Sequence, residues 1–374
     1  MAKAHVVVIG GGFAGISAAV RLRRLDKGIS VSLLDKKTTT DFLPALPDTI
    51  GRGISPAYLS YPIAALASRL RCTFRNEEVT VLDLAKKQLT TDAGVSDYDY
   101  LVIASGSETN FYGNNEIARA ALKVDSVTDV ESILKMLEGR AYDNYIIAGG
   151  GYTGVEVATN TGRYLKAHGR KGAVTIIERA PSVLGPLPEW MKAYVRENLH
   201  LLGITVYVNS GIEKCEGSTV RLTNGAVFED ALLVWAAGVR TADFIQRLPV
   251  EKNPQGRIKV DEFLRVDGSC FAAGDTASVA HKGAFLRMGV QFALSQGEAA
   301  AENIVRSMRG KALRRFTPAD PGYIIPMANN RSCGNVMGLE IKGRWPIALH
   351  FFMCVVRSYG WRNRWGIVRD LLRK

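Results

Sequence analysis

One glycine spacing occurs twice in this chain, 139 residues apart, and it limits the possible folds more than any other feature. "VVVIGGGFAGISAAV" carries Gly10, Gly12 and Gly15, and "YIIAGGGYTGVEVATN" carries Gly149, Gly151 and Gly154. Each G-x-G-x-x-G follows a continuous apolar run, as a strand buried on both faces does, and opens a stretch of helical period. The next strand ends in an acid both times: "VSLLD" in Asp35, 20 residues after Gly15, and "VTIIE" in Glu178. A lone glycine triplet is a weak signal, but strand, loop, helix, strand and terminal acid together specify a dinucleotide-binding βαβ unit. The first glycine makes the tight turn, the second lets a pyrophosphate approach the backbone, and the third lets helix pack on strand. The helix N-terminus favours the anionic phosphates, and the acid accepts hydrogen bonds from a ribose diol. Glu178 would repel a 2′-phosphate, which favours NADH over NADPH, although Arg179 follows it directly.

The pattern repeats beyond the loops. "YDYLVIASGSETN" is a buried strand over 100–104 that breaks at Ser105–Gly106, and "ALLVWAAGVRTADF" is a strand over 231–236 that turns at Ala237–Gly238. "CFAAGDTASV" runs into Gly274–Asp275, and "VQFALSQGEAAAENIVRSMRG" is a helix with Gly310 as its stop. The expected fold is α/β, with two interleaved Rossmann-like domains: 1–112 with 243–312, interrupted by 113–242. Residues 313–374 form a C-terminal region, strand-like to about 341, with amphipathic helices over 345–374.

Composition narrows the class. Hydrophobic content of 47% with 22% charged residues is ordinary for a folded enzyme. The five cysteines, Cys72, Cys215, Cys270, Cys333 and Cys354, are far apart, which argues against a disulfide framework or a zinc site. The histidines, His5, His168, His200, His281 and His350, are equally scattered, and each is expected to be structural. No metal site is expected. The strand starting at residue 5 leaves no room for a signal peptide, and no stretch reaches the roughly 20 apolar residues of a membrane span. The net charge of +12 calls for an acidic partner. No recognition motif for nucleic acid accompanies it.

Two dinucleotide loops imply two dinucleotides, and the chemical reason to hold both is hydride transfer from a nicotinamide to a flavin. The order GGGFAG, "VIASGS", GGGYTG, "VWAAGVR", "FAAGDTAS" resembles the two-dinucleotide-binding-domain flavoproteins. The resemblance implies non-covalent FAD on Gly10, Gly12, Phe13, Ala14, Gly15, Asp35, Lys36, Ala104, Ser105, Gly106, Gly274 and Asp275, with Asp275 on the ribityl chain. It implies NADH on Gly149, Gly151, Tyr152, Thr153, Gly154, Glu178, Ala237 and Gly238. With no cysteine pair, dithiol relay chemistry is out.

Within that class, "DFLPALPDTIGRG", "GGGYTGVEVA", "VWAAGVR" and "VQFALSQG" look like the type II NADH dehydrogenases, the single-subunit NADH:quinone oxidoreductases. By that likeness Glu156 lies at the nicotinamide side of the flavin and helps deliver protons to quinone. Gln291 and Gln296 would serve the quinone site. The motif departs at Val290 and at Ser295, where a second glutamine belongs, and Gln296 is rotated by about 100° from that place. The bland alternatives are ordinary helix residues for the two glutamines and a helix-dipole cap for Glu156, in the first turn of its helix. Ser17, at the matching place in the first copy, would sit beside FAD phosphates.

The tail "RWPIALHFFMCVVRSYGWRNRWGIVRDLLRK" interleaves Trp345, Phe351, Phe352, Tyr359, Trp361 and Trp365 with Arg344, Arg357, Arg362, Arg364, Arg369, Arg373 and Lys374. Such a segment, too short to span, describes helices lying on an anionic membrane surface; packing on the protein's own body or on a second subunit, as in a homodimer, is the alternative. The expected setting is therefore peripheral, on the cytoplasmic face of the cell membrane or an organelle inner membrane, with quinone as acceptor. Rival readings are a sulfide:quinone oxidoreductase using Cys333, a soluble NADH:ferredoxin reductase, and a signalling flavoprotein like apoptosis-inducing factor.

Overall fold

A computed structural model describes residues 4–373; Lys374 of the basic tail lies outside them. The chain divides into two compact units, each assembled from separated segments. The first comprises 1–40, 61–108 and 239–320, and the second 41–60, 109–238 and 321–374.

The first unit is built on a parallel five-stranded sheet. His5–Ile9 is central, flanked by Ser30–Leu34 and Tyr100–Ile103, with Thr73–Arg75 and Cys270–Ala272 at the edges. Val6, Val7 and Val8 are fully buried, as the uninterrupted apolar run requires. Helix Phe13–Leu25 packs on helix Val290–Met308 at very short range. A Cβ on Gly297 would lie 2.1 Å from the Ala14 carbonyl oxygen, so only glycine permits this crossing. The long helix ends where Gly310 takes φ +61°.

The second unit repeats the architecture with a parallel four-stranded sheet, ordered Thr205–Tyr207, Ala173–Ile177, Asn144–Ala148, Ala231–Trp235. Two segments are grouped here rather than as drawn from the sequence. Residues 41–60 join this unit because Ile50 sits in its core and helix Leu46–Arg52 lies on helix Tyr152–Ala167. A Cβ on Gly51 would be 2.4 Å from the Asn160 carbonyl oxygen. The C-terminal region contributes Ile325, Met327 and Cys333 to the same core. It forms an antiparallel sheet, Gly322–Met327, Arg331–Val336 and Leu339–Gly343, followed by helices Trp345–Arg357 and Trp361–Leu372.

The last helix docks through Asn363, Gly366, Ile367 and Asp370, one face at helical spacing. Asn363 Nδ2 donates to the Ser60 carbonyl at 2.8 Å, and Asp370 accepts from the Ser55 amide at 3.0 Å. The opposite face leaves Trp361 and Trp365 72% and 64% exposed, stacked on each other. On the preceding helix Trp345, Phe352 and Val356 are exposed along one stripe. No helix among the described residues is long and apolar enough to cross a membrane.

Candidate functional site

The two glycine loops are built alike. Gly10 and Gly149 take φ of +108° and +105°, in the region that favours glycine. A Cβ on Gly10 would stand 2.2 Å from the Ala104 carbonyl oxygen, and one on Gly149 2.6 Å from that of Ala236. A Cβ on Gly15 or Gly154 would come within 1.8 Å of the carbonyl oxygen of Gly10 or Gly149. The middle glycines differ in kind: a Cβ on Gly12 or Gly151 would meet nothing within 4 Å. Chain packing therefore demands the first and third glycines, while the second bares its backbone to open space, as a pyrophosphate seat requires.

The terminal acids brace these loops. Asp35 Oδ2 accepts from the Gly11 amide at 2.6 Å and Oδ1 from the Lys37 amide at 2.7 Å. Glu178 Oε2 accepts from the Gly150 amide at 2.6 Å and Oε1 from the Ala180 amide at 2.7 Å. Lys36 pairs with Glu78 at 3.1 Å on the surface. Arg179 runs its stem past Gly211, where a Cβ would be 3.4 Å from its Cγ.

In the first unit Ser105, Gly106, Gly274 and Asp275 are held together. Thr276 Oγ1 donates to the Gly106 carbonyl at 3.2 Å and lies 3.2 Å from Ser105 Oγ. Ser107 Oγ donates to Asp275 Oδ2 at 3.2 Å. Burial raises the Asp275 carboxyl above the usual range, opposed by Arg257 and the Ser107 hydroxyl.

Gln296 is 1% exposed, and its Oε1 accepts from the Gly274 amide at 2.7 Å. It therefore braces the Gly274–Asp275 turn from inside the first unit. Ser295, one residue earlier, turns its hydroxyl back to the Gln291 carbonyl at 2.9 Å. Gln291 is the second residue of that helix and partly exposed. Ser17 Oγ donates to the Leu294 carbonyl at 2.8 Å, inside the helix crossing. Close packing at Gly297 claims that hydroxyl.

The second unit gathers a titratable cluster that motif reading only partly located. Helix Tyr152–Ala167 has no acid in its first turn, since Glu156 is its fifth residue. Burial pushes the Glu156 carboxyl up to about 8, with His350 pulling it down and Asp48 pushing it up. Asp48 is 3% exposed and gives Oδ1 to Arg52 Nε at 2.9 Å. Arg52 is fixed further by Asn330 Oδ1 at 2.6 Å, the Met327 carbonyl at 2.9 Å and the Phe351 ring.

His350, expected to be purely structural, joins this cluster. Its Nε2 stands 3.7 Å from Asp48 Oδ2 and 3.6 Å from Cys354 Sγ. Burial alone favours the neutral ring, but Cys354 and the Asp48 carboxylate outweigh it and hold the imidazole well above its ordinary value. The only sequence signals for this cluster were an acid inside the "LPDTIGR" turn and a histidine in an aromatic helix.

All five cysteines are free. Cys333 is fully buried in the second unit's core, where burial pushes its thiol up to about 12, so it is no nucleophile.

Residues 4–298 match the family model of pyridine nucleotide-disulphide oxidoreductases. The chain belongs to that family. Among relatives of this pyridine nucleotide-disulphide oxidoreductase, the type II NADH:quinone oxidoreductase of Haemophilus influenzae is 28% identical, covering 89% of this chain and 87% of its own. The demethylphylloquinone reductase of a Synechocystis species is 26% identical, covering 97% and 94%. The fold matches NDH2 from Plasmodium falciparum, solved in complex with NADH, with a TM-score of 0.86 at 18% identity over 100% of this chain and 98% of that one. The sulfide:quinone oxidoreductase of Aquifex aeolicus shares the fold at a TM-score of 0.79 and 20% identity, covering 98% and 92%.

Proposed function

We propose that this chain is an FAD-dependent NADH:quinone oxidoreductase that pumps no protons and works at a membrane surface. One observation carries the reading: two dinucleotide loops, each with a bared middle glycine, stand in a chain whose five cysteines are all unpaired. Electrons must then leave for an acceptor other than an internal disulfide, and relatives over nearly the whole length carry names of quinone reductases. FAD, when bound, supplies the ability to take a hydride from NADH and pass two electrons on.

The chain's own residues bind, orient and hold protons. The Gly10–Gly15 loop and Asp275 seat FAD, with Gln296 stiffening the turn that carries Asp275. The Gly149–Gly154 loop, Glu178, Ala237 and Gly238 seat NADH. Glu178 is held by the Gly150 amide of the loop and by the Ala180 amide, leaving a carboxylate where NADPH would bring a 2′-phosphate. Glu156, protonated near neutral pH, holds a proton for the quinone; burial raises that proton's affinity, and His350 and Asp48 adjust it in opposite directions. Gln291 lines the quinone's approach.

The exposed stripe of Trp345, Phe352, Val356, Trp361 and Trp365, set among arginines, rests on anionic lipid and brings the protein to its quinone. The setting is the cytoplasmic face of the cell membrane or an organelle inner membrane. Steady-state oxidation of NADH and of NADPH with ubiquinone, menaquinone and ferricyanide tests the reading. Brisk NADH turnover with a quinone supports it; turnover with ferricyanide alone refutes it.

A further inference from the structure

Tyr112 combines three features that its neighbours do not. Its backbone is left-handed, with φ +53°, in a residue that is not glycine. Its side chain is 62% exposed. Its hydroxyl nevertheless presses on Gly238: a Cβ there would stand 2.0 Å from the Tyr112 oxygen.

The strained backbone is held by its surroundings. Trp235 Nε1 donates to the carbonyls of Asn110 and Ala237, both at 3.0 Å, tying the 110–112 segment to the turn after Ala231–Trp235. The Asn110 amide donates to the Gly238 carbonyl at 3.2 Å, and Asn110 Oδ1 takes the Tyr112 amide at 2.8 Å. Phe111 packs on Trp235 with ring centroids 5.6 Å apart. Strain maintained in this way concentrates at ligand clamps.

Sheet order says which part of a ligand lies there. A dinucleotide laid across the carboxyl ends of these strands puts its adenosine by Glu178 and its pyrophosphate on the loop after Asn144–Ala148. The nicotinamide half then extends over the next strand, Ala231–Trp235, whose turn holds Ala237, Gly238 and the Tyr112 ring.

We propose that Tyr112 is a wall of the nicotinamide-riboside seat, its ring laid against the bound half-nucleotide above Gly238. This rests on the reading of the second loop as the NADH site. The flat ring supplies the contact, and the clamped backbone holds it in position before the nucleotide arrives, so little is lost in ordering it.

Calorimetric titration of the oxidised holoenzyme with NAD⁺ and, separately, with ADP tests this, because neither reduces the flavin. Tyr112→Ala should weaken NAD⁺ by about five- to tenfold, the worth of one aromatic contact, and leave ADP unchanged. Tyr112→Phe, which keeps the ring, should stay within about twofold. If Tyr112→Ala does not fold, Tyr112→Gly suits the left-handed backbone and removes the same ring. Unchanged or tighter NAD⁺ binding on loss of the ring overturns the proposal, as does an equal loss for ADP. Failure of both NAD⁺ and ADP to bind the wild-type protein instead overturns the reading of the loop itself.

Discussion

His350 Nε2 lies 3.7 Å from Asp48 Oδ2, joining the first of the C-terminal helices to the Leu46–Arg52 helix in one buried cluster with Arg52. The cluster adjoins Glu156 electrostatically, His350 pulling its carboxyl down and Asp48 pushing it up against the larger effect of burial.

Glu156 should control the alkaline limb of turnover. Its carboxyl, raised to about 8 by burial, is protonated below that pH and loses its proton above it. Quinone reduction should fall as pH rises through about 8. Glu156→Gln should lower turnover, remove that limb and leave flavin content intact. A pH–rate profile of the two proteins checks this; an unchanged alkaline limb in the variant removes Glu156 from the account.

The Asp48–His350 contact should make stability depend on pH in a defined direction. A histidine held above its ordinary value contributes stability that is fully present below about pH 6.5, its unfolded value, and is lost as pH rises through the raised one. His350→Gln should therefore destabilise most at pH 6 and progressively less in alkali. Asp48→Ala strands the Arg52 guanidinium and should cost about 3–5 kcal/mol. Denaturant melts across pH measure both.

The middle glycines should separate binding from folding. Gly12 and Gly151 have φ of −82° and −76°, which alanine adopts freely, and their Cβ positions are open. Stripped of flavin, Gly12→Ala should melt like the wild-type apoprotein, and it should retain less flavin when purified. Gly151→Ala should keep its flavin and show a KM for NADH raised by about tenfold, equivalent to about 1.4 kcal/mol. Loss of thermal stability in either apoprotein would mean that packing, not a ligand, requires the glycine.

The exposed tryptophans should carry membrane affinity. Trp361→Ser with Trp365→Ser leaves the docked face of the last helix intact, since Asn363, Gly366, Ile367 and Asp370 are untouched. Co-sedimentation with anionic vesicles should fall several-fold, while NADH:ferricyanide activity stays. Equal binding by the double variant would assign that face another partner.

The loops were legible because backbone sterics leave only glycine at Gly10, Gly15, Gly149 and Gly154, and such demands print directly into sequence. The two interleaved sheets were legible from uninterrupted apolar runs such as "HVVVI". The Gly274 contact of Gln296 was not legible, because a motif fixes a residue's order in the chain, not the face it turns inward; that face is set by the Gly297 crossing. The Ser17 contact with Leu294 was hidden for the same reason. His350 and Asp48 were missed because their meeting depends on two helices from distant segments packing on one unit. Asp48 stands in "DFLPALPDTIGRG", but nothing in that segment names a distant histidine as its partner.

The central claim is that NADH reduces a bound flavin which a quinone then reoxidises. Anaerobic mixing of the purified holoenzyme with NADH, followed by a quinone analogue, tests it through flavin absorbance. The account predicts bleaching by stoichiometric NADH, far slower bleaching by NADPH, and full recovery of the oxidised spectrum on adding quinone. A flavin that NADH does not bleach, or that stays bleached in the presence of quinone, would contradict it.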